Sequence, residues 1–217
     1  MNLPNKITIS RIILSIIVLL LLVFPLEKIG IDLPTVVING KLQIDVKYFI
    51  CGFLFLIAST TDFIDGHIAR SRNMVTDFGK VMDAIADKIL VNGVLIILAC
   101  TGFISVIIPV IIVSRDTIVD SIKMVVGKKN GAVGASKAGK LKTICMMSGV
   151  TLMLFYNLPF ELIGIRVADF LIMLATVLSV ISGIEYYIKN KQFLLEWGLI
   201  KPFFNSAKKI DLTLILY

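Results

Sequence analysis

An all-α integral membrane protein of six transmembrane helices, with a site cavity facing the cytoplasm, is the fold class this chain predicts. Three observations carry the prediction. The 217 residues are 57% hydrophobic, with a mean hydropathy of +0.94, which excludes an ordinary soluble domain. Apolar runs recur along almost the whole length, the signature of several spans rather than one anchor. The basic residues fall mostly in alternate connections, as they do when such connections lie on the cytoplasmic side.

The spans are read at about 7–26, 46–70, 80–101, 103–126, 142–159 and 167–188. At a rise of about 1.5 Å per residue, each can cross a hydrocarbon core of about 30 Å. Strands are set aside, because the runs exceed strand length and lack the period-two alternation of a membrane barrel. The first span resembles a signal peptide in that Lys6 and Arg11 precede its apolar stretch. It has no small-residue cleavage site, and Pro25-Leu26-Glu27-Lys28 follows directly, so it is expected to be retained. One membrane domain is expected over 1–190. The tail, 191–217, carries Phe193, Leu194, Trp197 and Leu199, which suggest an amphipathic segment lying on the membrane surface.

With an even number of spans both termini share one side. That side collects Lys6, Arg11, Arg70, Arg72, Lys80 and Lys88, the lysines from 123 to 142, and those from 189 to 209. The other side receives Lys28, Lys41, Lys47 and Arg166. The asymmetry predicts a multi-pass protein of the cell membrane with both ends in the cytoplasm. It also accounts for the net charge of +7, with some attraction to anionic membrane lipids; nucleic acid is not an expected partner. Cys51, Cys100 and Cys145 show no C-x2-C spacing, so they read as small buried hydrophobes rather than a zinc or redox site.

Within this apolar chain stand four aspartates. Asp62 and Asp65 are three apart, Asp83 and Asp87 four apart, and on helices each pair shares a face. A charge at membrane depth costs at least about 3 kcal/mol on insertion scales. One such residue can be an accident near an interface, but four that keep returning to one face cannot be dismissed so easily. Clustered carboxylates repel unless a cation neutralises them, and hard oxygen ligands suit one or two Mg²⁺ or Mn²⁺ ions. Gly66, Ala69 and Gly79 leave room around the acids, and Arg70 offers a planar fork to a phosphate. His67 is turned away from the Asp62 and Asp65 face and receives no role.

A second constellation follows. Arg115, Asp116 and Asp120 lie in the fourth span, and the next connection carries Ser136, Lys137, Lys140 and Lys142 among Gly131, Gly134 and Gly139. The plain reading of these lysines is a positively charged loop, and of Arg115 a pairing with Asp116 or Asp120. The functional reading is that they receive an anion.

The string Asp62-x2-Asp65-Gly66-x2-Ala69-Arg70-x8-Gly79-x3-Asp83-x3-Asp87 resembles the signature of the CDP-alcohol phosphatidyltransferase family at every fixed position. Pro4-Asn5-x2-Thr8-x2-Arg11 is similar to the family's N-terminal segment. Ser136-x2-Gly139-Lys140-x-Lys142-Thr143 and Ser182-Gly183-Ile184-Glu185-Tyr186 more narrowly resemble members that use a glycerol phosphate acceptor. Ala84-Ile85 stands where Pro-Leu is frequent, and Ser114-Arg115-Asp116 where an Arg-Glu pair is common.

The resemblance implies transfer of a phosphatidyl group from CDP-diacylglycerol to sn-glycerol 3-phosphate. By that resemblance Asp62, Asp65, Asp83 and Asp87 hold the metal, and Asp87 is also the general base. Asn5, Thr8, Asp62, Gly66, Ala69 and Arg70 border the cytidine nucleotide. Arg115, Ser136, Lys140 and Lys142 receive the acceptor phosphate, and the protein is a homodimer. Direct attack on phosphorus is expected, since no activated Ser, Cys or His stands near the acids. Two alternatives remain at this stage. One keeps the chemistry with inositol phosphate, serine or phosphatidylglycerol as acceptor. The other is a cation transporter, disfavoured by the lack of repeats and by acids placed toward one surface.

Overall fold

A computed structural model of the protein describes residues 3–30, 33–38, 42–71, 77–130 and 136–196. Six α-helices are found there: α1 (Leu3–Val23), α2 (Val46–Ser71), α3 (Asp77–Cys100), α4 (Ile107–Asn130), α5 (Lys137–Leu154) and α6 (Val167–Glu196). Each predicted span coincides with one helix, and the differences lie at the ends. α1 stops at Val23, two residues before Pro25, which cannot continue a helix. α6 runs unbroken through position 190 to Glu196. Of the expected surface segment, 191–196 with Phe193 and Leu194 continue α6, while Trp197, Leu199 and the remainder to 217 lie outside the described residues.

Among the described residues one helical stretch, Val167–Lys191, is by itself long and apolar enough to cross a membrane; Thr8–Val23 and Val46–Thr61 are shorter apolar stretches. The other helices carry charges in their polar halves, such as Asp87 and Lys88 in α3 or Arg115 and Asp116 in α4, and these interrupt their apolar runs.

The expectation that strands are absent is corrected. β1 (Thr35–Ile38) pairs antiparallel with β2 (Leu42–Asp45), with Thr35 opposite Asp45 and Ile38 opposite Leu42. All four residues of β1 are β-branched, which favours a strand. Asn39-Gly40, which follows it, is a strong hairpin signal at the level of sequence. The hairpin is a short cap between α1 and α2, too small to span a membrane. The Asp45 N–H donates to Tyr156 Oη at 3.1 Å, and Asp45 Oδ1 accepts from the Lys47 N–H at 2.9 Å, which caps α2.

α1 lies against α2 and α3, while α5 and α4 both pack on α6, and α5 also meets α2 and α3. Their shared core includes Val18, Phe55, Leu95, Val150 and Ile172. Beside this apolar core, polarity is distributed unlike that of a soluble protein. Thr8, Arg11, Ser15, Lys142, Ser179, Ser182 and Asn190 are buried, whereas Ile13, Leu20, Val110, Ile144, Met173 and Ile184 are each more than half exposed. Apolar exposure on this scale marks a surface made for lipid or another apolar partner. Cys51 and Cys145 are buried as expected, but Cys100 is exposed at the end of α3, so the buried reading fails for that residue.

α5 and α6 approach closely at Gly149 of α5, where backbone as well as side chain is met. A Cβ there would sit 2.8 Å from Ile172 Cγ1 and 3.2 Å from the Ile172 backbone nitrogen, which cannot yield without moving α6. Gly149→Ala is therefore expected to cost about 1–3 kcal/mol of stability by overpacking. The measurement is the thermal unfolding midpoint in detergent. Gly127→Ala, where a Cβ meets nothing within 4 Å, is the control and should unfold no earlier than the parent.

Candidate active site

Side-chain contacts draw one half of each of five helices to a common end of the bundle. α1 meets α3 there through Arg11 and Asp87. α3 meets α4 through Lys88 and Asp120. α4 meets α6 through Arg115 and Ser182, and α4 meets α5 through Asp116 and Lys142. The C-terminal turns of α2, with Asp62 and Asp65, precede α3 by the short connection 72–76. Asp62 and Asp65 do lie on one helix, and Asp83 and Asp87 on the next, as their spacing requires.

Of the four carboxylates, that of Asp87 is described. The side chains of Asp62, Asp65 and Asp83 lie outside the described part, as do those of Asn5, Gly66, His67, Ala69 and Arg70. Among the described residues no three His, Cys, Asp or Glu side chains gather as a metal site. Asp87 is part-exposed, with Arg11 Nη1 3.8 Å from its Oδ1. A hard oxygen donor open to a cavity is chemically suited to a divalent cation, and nothing about Asp87 conflicts with that use.

Arg11 is 2% exposed, and Thr8, one turn earlier on α1, is 3% exposed. The sequence reading treated Arg11 as a topology charge and as part of the N-terminal segment. Instead its guanidinium is packed inside, beside the acidic helix.

Asp116 is the hub of the basic region. Lys142 Nζ donates to both its Oδ1 and Oδ2 at 2.8 Å. Arg115 Nη1 donates to Oδ1 at 2.8 Å, and Arg115 Nη2 donates to Ser182 Oγ. Ser182 Oγ in turn donates to the Ser179 carbonyl at 3.1 Å. The Arg115 stem runs over Gly183, where an added Cβ would come 3.0 Å from Arg115 Cγ. Nearby, Lys123 Nζ stands 5.3 Å from the centroid of the Tyr186 ring, a cation–π contact.

A cavity of about 120 Å³ opens between these groups, with Asp87, Lys88, Asn92, Asp116, Lys142 and Thr143 as its polar lining. It brings the acidic motif and the basic segment onto one space. Of the four residues expected to receive an acceptor phosphate, Lys142 lines this cavity and Arg115 reaches it through Asp116. Ser136 is instead the N-cap of α5, accepting the Gly139 N–H at 3.1 Å, and Lys140 is exposed; neither lines the cavity. Asp116, Lys88 and Ser182 were given no site role by sequence reasoning, although Ser182 sits in a stretch that carried the narrower resemblance.

A helical bundle with an apolar exterior and an aspartate-and-lysine cavity at one end fits a membrane-embedded transferase acting on charged headgroups. The chain belongs to the CDP-alcohol phosphatidyltransferase family, whose sequence profile matches residues 1–182. It is 38% identical over 189 residues to the CDP-diacylglycerol–glycerol-3-phosphate 3-phosphatidyltransferase of Bacillus subtilis, covering 87% of this chain and 95% of that one. It is 31% identical over 193 residues to the protein of the same name in Rickettsia bellii, covering 88% and 97%. The one in Mycoplasma pneumoniae is 33% identical over 154 residues, covering 71% and 68%.

Proposed function

We propose that this protein transfers the phosphatidyl group of CDP-diacylglycerol to sn-glycerol 3-phosphate, giving phosphatidylglycerophosphate and CMP. The observation that carries the reading is the single cavity lined both by Asp87 of the acidic motif and by Lys142 of the basic segment. An acceptor that brings its own phosphate needs a cation close to the base that takes its proton. The names of the relatives point to the same acceptor.

In this reading the six helices cross the membrane with both termini cytoplasmic, the lipid tails stay in the bilayer, and the headgroup enters the polar end. The buried polar groups and exposed apolar ones support that placement. Lys142 and Arg115 bind and orient the acceptor phosphate. Asp87 takes the proton of the acceptor hydroxyl, whose oxygen bonds to the phosphorus carrying diacylglycerol. The bond from that phosphorus to the CMP oxygen breaks, and its electron pair leaves with CMP. Asp62, Asp65, Asp83 and Asp87 would hold Mg²⁺ or Mn²⁺, whose contribution is to neutralise charge on the pyrophosphate. No Ser, Cys or His lines the cavity among the described residues, which favours direct attack over a covalent phosphatidyl-enzyme. A second copy of the chain would complete the assembly as a homodimer.

The test gives purified protein labelled CDP-diacylglycerol with glycerol 3-phosphate, inositol phosphate or serine in parallel. CMP release is expected with glycerol 3-phosphate, lost in EDTA and restored by excess Mg²⁺ or Mn²⁺. Equal release with another acceptor would reassign the substrate, and release undiminished by chelator would remove the metal.

A further inference from the structure

We infer that Asp116 is a positioning residue of the acceptor pocket, which fixes Lys142 and Arg115 and sets the pocket's charge for a phosphomonoester dianion. The inference rests on the acceptor reading above and adds to it a residue that touches neither reacting atom. Lys142 is 5% exposed and stands on α5, while Asp116 stands on α4, so the contact joins two helices. Two of the three ammonium donors of Lys142 are aimed at Asp116, one at each oxygen, at 2.8 Å. That fixes the ammonium in place and leaves one donor for a ligand. The same carboxylate takes Arg115 Nη1 while Ser182 takes Nη2, so the guanidinium is held at both ends. Arg115 Nε is buried with no hydrogen-bond partner among the described residues.

Among the described residues, the charges of the cavity lining and its ion-pair partners can be counted; Asp62, Asp65 and Asp83, whose side chains lie outside the described part, are not in this count. Lys88 with Asp120, and Arg11 with Asp87, each sum to zero. Arg115, Lys142 and Asp116 leave one positive charge, and Lys123 beside Tyr186 adds another. Two positive charges match a phosphate dianion and give no advantage to an acceptor without one, such as serine. Without Asp116 the two cations would repel across a low-dielectric site, and Lys142 would lose the group that holds it.

The experiment compares the parent with Asp116→Asn, Asp116→Glu, Lys142→Met and the Asp116→Asn/Lys142→Met double variant. Initial rates are measured in detergent micelles with each substrate varied in turn. Asp116→Asn is expected to raise KM for glycerol 3-phosphate about 10- to 100-fold, with KM for CDP-diacylglycerol within about twofold of the parent. Asp116→Glu should recover most of the loss, and the double variant should lose less than the product of the two single losses, because Asp116 acts in part through that lysine and in part through Arg115. An unchanged KM for glycerol 3-phosphate in Asp116→Asn, or an equal loss for both substrates, overturns the inference. If Asp116→Asn cannot be isolated folded, the double variant replaces it, since it leaves no unpaired lysine. Recovery of its fold with a raised KM for glycerol 3-phosphate alone supports the assignment; a double variant that is also unfolded, or that loses both substrates equally, overturns it. A parent protein that ignores glycerol 3-phosphate would instead defeat the acceptor reading itself, a result visible before any variant is made.

Discussion

Asp87→Asn is expected to lower the rate of CMP release by about 10²- to 10⁴-fold, the range associated with loss of a general base, while binding of CDP-diacylglycerol persists. The substitution keeps the shape of the side chain and one carbonyl oxygen able to face a cation, but removes the group that can take a proton. Of the four motif aspartates, Asp87 is the one whose carboxylate is seen to line the cavity it shares with Lys142. Its neighbour Arg11 approaches to 3.8 Å, so the variant also leaves a buried guanidinium with less compensating charge. A stability measurement should accompany the kinetics for that reason. The check is single-turnover CMP release together with displacement of bound CDP-diacylglycerol by CDP. Near-normal turnover would remove Asp87 as the base, whereas loss of nucleotide binding in step with turnover would confine it to holding the metal.

The parts of this protein that were legible in its sequence are those governed by local periodicity. Each of the six apolar runs could be read, and each became a helix, although among the described residues Val167–Lys191 is the one stretch long and apolar enough by itself to cross a membrane. The aspartate spacings likewise placed Asp62 with Asp65 and Asp83 with Asp87 on single helices. The hairpin was missed because four-residue strands are too short to stand out against apolar helices, although Thr35-Val36-Val37-Ile38 followed by Asn39-Gly40 carried the signal. What spacing cannot supply is which helix stands opposite which. Arg115 was expected to pair with Asp116 or Asp120, and it pairs with Asp116. That Lys142 would arrive from α5 at the same carboxylate, or that Lys88 would take Asp120, is decided by how α3, α4 and α5 pack. Arg11 shows the same limit, since a charge near the start of an apolar helix reads as a topology signal until its neighbours are known.

Arg115→Ala is expected to raise KM for glycerol 3-phosphate by about 10- to 100-fold, because charge-assisted hydrogen bonds contribute about 1.5–3 kcal/mol each when a partner is lost. The effect should fall on one substrate because the seat of this side chain belongs to α4 and α6. Its stem crosses Gly183, and its two terminal nitrogens are held by Asp116 and Ser182. None of these groups belongs to the acidic motif that the nucleotide reading assigns to α2 and α3. Arg115→Lys should recover little, because an ammonium cannot satisfy Asp116 and Ser182 at once from the position of a planar fork. Gly183→Leu should imitate Arg115→Ala without touching a charge, since even a Cβ at that position already crowds the arginine stem at 3.0 Å. The measurement is KM for each substrate with the other saturating. A loss shared equally by CDP-diacylglycerol and glycerol 3-phosphate would show that Arg115 supports the fold of the whole polar end rather than the acceptor.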